Sequence, residues 1–179
     1  MARARDEMVD FYRMNEAELQ DWVEFNAGRV NDGDRYGNTA LYATVYKNYP
    51  SLVLWLLNEK GADLSATTSA NPNILQVTKS LDILNTLLDH GADPTWLNDD
   101  GHSPLYSHVF LRPFDTAARL LEDPRVRAVV SVQSKHGDTV FHYACIGLAE
   151  ALQVAIFKLF LRAGVSPALT DKEGKTPLD

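Results

Sequence analysis

The chain has 179 residues, 45% hydrophobic and 23% charged, a balance that excludes disorder as its main state and fits about one soluble domain. Seventeen Lys+Arg against 24 Asp+Glu leave a net charge of -7, which speaks against a phosphate-binding surface and hence against a nucleic-acid partner. The single cysteine, Cys145, excludes an internal disulfide framework and a multi-cysteine zinc site.

In chain order, the basic start Met1-Ala2-Arg3-Ala4-Arg5 runs into Asp6 and Glu7 with no apolar stretch behind it, unlike a secretory signal. No run approaches the roughly 18–20 apolar residues that span a bilayer, so no membrane insertion is expected. These features, with one cysteine, point to an intracellular, cytoplasmic protein, the nucleus being left open. Residues 6–14 are expected to form a helix carrying Met8, Phe11 and Tyr12. A second helical run follows from Glu18 to Gly28.

From there a short signature recurs: glycine, one residue, Thr or Ser, one residue, a hydrophobe. It reads Gly37-Asn38-Thr39-Ala40-Leu41, Gly101-His102-Ser103-Pro104-Leu105, Gly137-Asp138-Thr139-Val140-Phe141 and Gly174-Lys175-Thr176-Pro177-Leu178. Thr39, Ser103, Thr139 and Thr176 stand where an N-cap hydroxyl satisfies a free helix N–H. Pro104 and Pro177 then fall at the first helical position, where a missing N–H costs nothing. A second signature ends Leu-rich helical runs: Gly61-Ala62-Asp63, Gly91-Ala92-Asp93 and Gly164-Val165-Ser166, with each glycine suited to the left-handed residue past a helix.

These two signatures resemble the G-x-T-P-L-H-x-A and L-L-x-x-G-A-D motifs of the ankyrin-repeat family, whose unit is a β-turn and two helices over about 33 residues. Gly37 and Gly101 lie 64 apart, Gly101 and Gly137 36, Gly137 and Gly174 37, and each irregularity has one place. One residue is extra in Asn58-Glu59-Lys60, and about three are missing around 73–79. The later inserts fall in 122–132, where Pro124 breaks a helix, and in 147–151. The implied fold is an all-α ankyrin-repeat solenoid of about four repeats, with a helical N-terminal cap and a truncated last unit. It forms one domain over 1–179: capping helices 1–33, a repeat 34–66, a degenerate repeat 67–97, repeats with insertions 98–133 and 134–170, and the start of a further repeat at 171–179. The second helices read 52–58, 81–88, 116–121 and 152–162. In the degenerate unit Asn71-Pro72-Asn73-Ile74-Leu75-Gln76 replaces the turn signature, so a short first helix and a distorted turn are expected.

Catalytic and metal chemistry find little footing. His142 and Cys145 are three apart on one helix, close enough to touch, and a Cys–His pair can make a nucleophile. In the resemblance, however, His142 occupies the family's histidine position and Cys145 a small apolar one, and both have packing roles. The turn carboxylates Asp32, Asp34, Asp99, Asp100, Asp138, Asp171 and Glu173 are spread over separate units with no D-x-D-x-D-G loop. Such aspartates usually bond their own backbone. No cofactor, metal or catalytic residue is expected. Asn31 falls where ankyrin units often carry an asparagine that is hydroxylated, though an ordinary turn asparagine is the simpler reading.

What remains is surface. Repeat stacks leave a long concave face, lined in this family by turn fingertips and first helices. Carried over, those positions are Arg35, Tyr36, Asn38, Tyr46 and Lys47; Trp96 on the next finger; Asp99, Asp100, His102, Phe110 and Leu111; and Lys135, His136, Asp138 and Ile146. Large aromatic and apolar groups amid polar ones are the composition of a binding hot spot. The expected function is a non-enzymatic protein–protein interaction module, part of a larger scaffold or regulatory protein. The alternative is the recognition region of an enzyme whose catalytic domain lies beyond residue 179. The apolar helix 152–161 further implies neighbours on both sides: further repeats, a partner, or self-association at the C-terminal end.

Overall fold

Each finger is closed by the same small set of bonds. The residue opening the turn donates its N–H to the carbonyl four positions on and accepts the glycine N–H back: Asp34 N to Asn38 O at 2.8 Å and Gly37 N to Asp34 O at 2.8 Å, with the same pairs at 98/102/101, 134/138/137 and 171/175/174. The side chain of the opening residue then caps its own turn. Within its own turn, each of Asp34, Asn98 and Asp171 accepts two backbone N–H groups, and the Ser134 hydroxyl accepts one. This is the local bonding that makes Asx and Ser/Thr turns cheap, and it is why four fingers form from sequences that share little beyond glycine. The reason for the glycine is plainest at Gly137: φ is +86° and an added Cβ would lie 2.5 Å from the Lys172 Cβ, so both backbone and space demand it.

The computed structural model describes residues 9–65, 73–111, 114–145 and 150–179, with side chains undescribed at 110, 111 and 150–152. Among the described residues the regular structure is helical, and no strand occurs. The chain divides into two units, Met1–Ala92 and Asp93–Asp179.

In the first unit, α1 (Glu16–Phe25) opens on a capping box, with Asn15 and Glu18 each accepting the other's backbone N–H, which satisfies two otherwise free donors. A 3-10 turn follows at Ala27–Arg29. The finger leads into α2 (Ala40–Lys47), capped by Thr39, whose hydroxyl accepts from Tyr42 N. α3 (Pro50–Glu59) starts with proline at its first position, and α2 packs on α3. The degenerate repeat contributes a 3-10 turn, Ile74–Val77, in place of a first helix, and then α4 (Leu81–Asp89). Asn73 and Ser80 cap these two elements through their side chains. Leu41, Val53, Leu56, Leu75, Leu84 and Leu87 are fully buried.

The helix expected over 6–14 is not what forms at residues 9–14; residues 1–8 lie outside the described residues. Asp10 is extended and only Phe11–Arg13 makes a 3-10 turn. The first finger competes for this backbone: Val9 O accepts from Arg35 N at 3.0 Å, and the Phe11 N–H goes to Asp34. Phe11, 1% exposed, anchors the segment edge-on against Trp22 at 4.7 Å.

The second unit repeats the pattern with α5 (Pro104–Leu111), α6 (Phe114–Glu122), α8 (Val140–Cys145) and α9 (Glu150–Arg162). α5 packs on α6 and α8 on α9; α8 also covers α5, and α9 covers α6. The break at Pro124 starts a new helix as well as ending one. Asp123 accepts from Arg125 N, and Pro124 opens the short α7 (Pro124–Val129), which seats Val126 in the core. Phe141 stacks on Phe160 at 4.7 Å and 10°. Asn31 links the fingers of the first unit, donating to Gly61 O and accepting from Asp63 N.

Candidate binding surface

In the first unit the finger and first helix present two exposed tyrosines, and each ring sits under a cation of the same chain. Arg35 lies 4.6 Å from the centre of the Tyr36 ring and is held there by an ion pair to Asp10 at 2.5 Å. Tyr36 is 53% exposed. Tyr46, 41% exposed, meets the edge of Tyr12 at 5.0 Å. The Lys79 ammonium stands 4.0 Å from its ring centre while donating to Tyr46 O at 2.9 Å. Lys47 donates to Met14 O at 2.6 Å. Asn38 differs from its neighbours in being buried, with its amide and its N–H both on Asp34. Burial pushes the Tyr12 and Tyr42 phenols above their ordinary range, so both stay neutral.

In the second unit the corresponding place holds three neighbouring rings, of which Tyr106 is buried and His102 and Tyr143 are half-buried. His102 lies 4.3 Å from Tyr106 at 22°, and Tyr143 closes the cluster at 6.0 Å from His102 and 5.5 Å from Tyr106. Tyr106 donates its hydroxyl to Asp138 O at 2.9 Å, which fixes the ring against the next finger. Around the rings stand exposed Asp99, Asp100, Lys135 and His136 and half-buried Asp138. Lys135 pairs with Asp100 at 3.3 Å, and its N–H bonds Asp100 O. Partial burial, with His136 adding to it, holds His102 below the ordinary imidazole value against the opposing pull of Asp100 and Asp138. Trp96 is half-buried. Of the remaining expected residues, Ile146 lies outside the described residues, as do the side chains of Phe110 and Leu111. Neither half-buried Tyr143 nor Tyr106, which is buried beneath the finger, was among the expected residues. Their signal was available only as one aromatic on each of two successive first helices.

The Cys–His pair weighed from the sequence has no nucleophile geometry. Both His142 nitrogens are engaged, Nδ1 with the Thr139 hydroxyl at 2.7 Å and Nε2 with Lys175 O at 2.9 Å. Burial raises the Cys145 thiol above its ordinary value, which disfavours the reactive thiolate. His108 is likewise buried, on the Thr116 hydroxyl at 2.8 Å. Among the described residues no cluster of three His, Cys, Asp or Glu side chains could hold a metal ion, and no helix is long and apolar enough to cross a membrane.

Residues 36–69 match the ankyrin-repeat family model. No curated protein matches the sequence. Among solved structures, a chain described as an ankyrin-repeat protein, EF0377, is similar over 91% of this chain and 83% of its own, with 25% identity and a TM-score of 0.74. The ankyrin-repeat domain of Bcl-3, a member of the IkappaB family, matches over 89% and 73%, with 23% identity and a TM-score of 0.69. A chain from the complex of the predatory endopeptidase Bd0816 of Bdellovibrio bacteriovorus with the immunity protein Bd3460 matches over 94% and 86%, with 20% identity and a TM-score of 0.75. With four fingers of one bonding pattern and these likenesses in hand, residues 36–69 are an ankyrin repeat and the chain is an all-α ankyrin-repeat protein in fold.

Proposed function

We propose that this chain binds a protein or peptide partner through its fingers and first helices, as a non-catalytic recognition element of a larger scaffold or regulatory protein in the cytoplasm. The observation that carries this reading is the exposure of Tyr36 and Tyr46 on the finger and first helix of the repeat at 36–69. Tyrosines held rigid by neighbouring cations offer large contact area at little cost in side-chain entropy, the usual make-up of a hot spot. The half-buried rings of His102 and Tyr143, packed around buried Tyr106, lie at the matching place in the second unit. That a chain of the Bd0816–Bd3460 complex shares this fold accords with partner binding. The net charge of -7 argues against nucleic acid as the partner.

The test is affinity capture with the chain and with a Tyr36→Ser/Tyr46→Ser variant, whose unchanged helical circular dichroism shows that the fold survives. A partner retained by the chain and lost by the variant supports the proposal. A partner held equally by both counts against this surface.

A further inference from the structure

The tyrosine face of the first unit carries a charge opposite to that of the chain as a whole. Against a net charge of -7, Arg13, Arg35, Lys47 and Lys79 gather around Tyr36 and Tyr46 through one run of contacts. Arg35 covers the Tyr36 ring and shares the Asp10 carboxylate with Arg13. Tyr12, beside Arg13 in the chain, meets Tyr46 edge-on. Lys79 covers Tyr46, and Lys47 bonds Met14 O.

Among the described residues, the carboxylates in contact with this set are turned inward. Asp10 is one charge between two guanidinium groups, and its side chain is only 13% exposed. Asp34 is buried, with its oxygens on Phe11 N, Tyr36 N and Asn38 N. Asp32 pairs with Arg29, and Glu18 folds back on Asn15 N. Lys47 and Lys79 donate to main-chain carbonyls and make no ion pair among the described residues. A carbonyl satisfies an ammonium donor without cancelling its charge. Lys79 is exposed, and the Arg13 side chain is 82% exposed, so positive charge stands at the surface here.

The rings fix the sign of the occupant. An exposed tyrosine face ordinarily attracts a partner's lysine or arginine. On Tyr36 and Tyr46 that role is taken by Arg35 and Lys79, and an incoming cation meets a like charge beside each ring. An incoming carboxylate instead meets ammonium groups that can turn from a neutral carbonyl to a charged acceptor, which makes the stronger hydrogen bond. We propose that this face binds an acidic peptide segment of a partner protein, with carboxylates on Arg13, Lys47 and Lys79. The inference rests on the reading of Tyr36 and Tyr46 as the binding surface.

The experiment is fluorescence anisotropy of the chain with a labelled glutamate–tyrosine copolymer, and with a labelled oligothymidylate as the other polyanion. The copolymer is expected to bind despite the like net charge, and more weakly as salt is raised. Arg13→Glu/Lys79→Glu, two exposed positions, should weaken it by about tenfold. Lys158→Glu, an exposed lysine of the second unit, adds negative charge elsewhere and should leave binding within about twofold. The proposal is overturned if the copolymer does not bind, or if Lys158→Glu weakens it as much as the double reversal. Tighter binding of the oligothymidylate, lost in Arg13→Glu/Lys79→Glu, would also overturn it by giving the face to nucleic acid. A partner that Tyr36→Ser/Tyr46→Ser loses and Arg13→Glu/Lys79→Glu retains overturns the acidic occupant and leaves the surface standing. A partner retained by both variants removes the surface and this inference with it.

Discussion

Replacing His142 with alanine tests whether repeats are tied together by this ring. His142 is 5% exposed and spans two repeats: Nδ1 bonds the Thr139 hydroxyl at the start of its own helix, and Nε2 bonds Lys175 O in the next finger at 2.9 Å. Its removal loses these two hydrogen bonds, at about 1 kcal/mol each, and a longer third from Thr139 N to Nδ1 at 3.3 Å. Thr139, 1% exposed, keeps a buried hydroxyl with one partner fewer, while Lys175 O is partly open and can turn to water. The ring itself leaves a small void. Together these give about 2–4 kcal/mol, within the range of large-to-small core changes. The assay is urea unfolding followed by circular dichroism, joined to hydrogen exchange. The finger at 171–175 should lose protection first, because its Gly174 N to Asp171 O and Asp171 N to Lys175 O bonds depend on that anchor. A midpoint within about 0.5 kcal/mol of the parent, the size of an ordinary surface substitution, would refute the reasoning. So would exchange that rises evenly over both units.

Three further outcomes are expected. His102 titrates below its ordinary value in the folded chain, so the unfolded chain binds the proton more readily. Stability from this group is therefore present above pH about 6.5 and lost as pH falls through the folded value; His102→Gln should remove that part of the acid dependence, read from melting temperature against pH. Gly137→Ala meets both a φ of +86° and a Cβ 2.5 Å from Lys172 and should cost more than about 1 kcal/mol, whereas Gly28→Ala, with open space and no positive φ, should be close to neutral in the same denaturation. Thr39→Ala removes the hydroxyl that accepts from Tyr42 N at 3.2 Å and should cost about 1 kcal/mol of the first unit's stability.

The parts of this fold that were legible in the sequence are those enforced by one residue type. Positive φ at Gly61, Gly91 and Gly164 ends helices where glycine ends the Leu-rich runs, and Thr39 caps as its position implies. The finger-opening residue was harder to see, because Asp34, Asn98, Ser134 and Asp171 perform one task with three side-chain types. Any short acceptor serves, so no motif accumulates. Asn38 shows the cost of that blindness to the site. Its position placed it on the binding face, but the acceptor at Asp34 draws its amide inward and leaves Tyr36 and Tyr46 as the exposed groups.

The surface was less legible than the core for a related reason. Its character is set by pairs of residues from different repeats, and periodicity reports only on one repeat at a time. Lys79 belongs to the degenerate repeat, yet it stands over Tyr46 of the preceding one; Tyr143 reaches His102 across a finger boundary. In the first unit the rings are met by cations of the same chain, and in the second by a histidine and the carboxylates around it. The irregular repeat thus does more than interrupt the pattern: by carrying Lys79 to Tyr46 it fixes the electrostatic character of the first unit's proposed binding face. A Lys79→Ala chain would keep every helix and still present a different surface, because cation–aromatic pairing at such exposed sites is worth about 0.5–1 kcal/mol, enough to alter which side chains a partner can bring there but not to unfold α4.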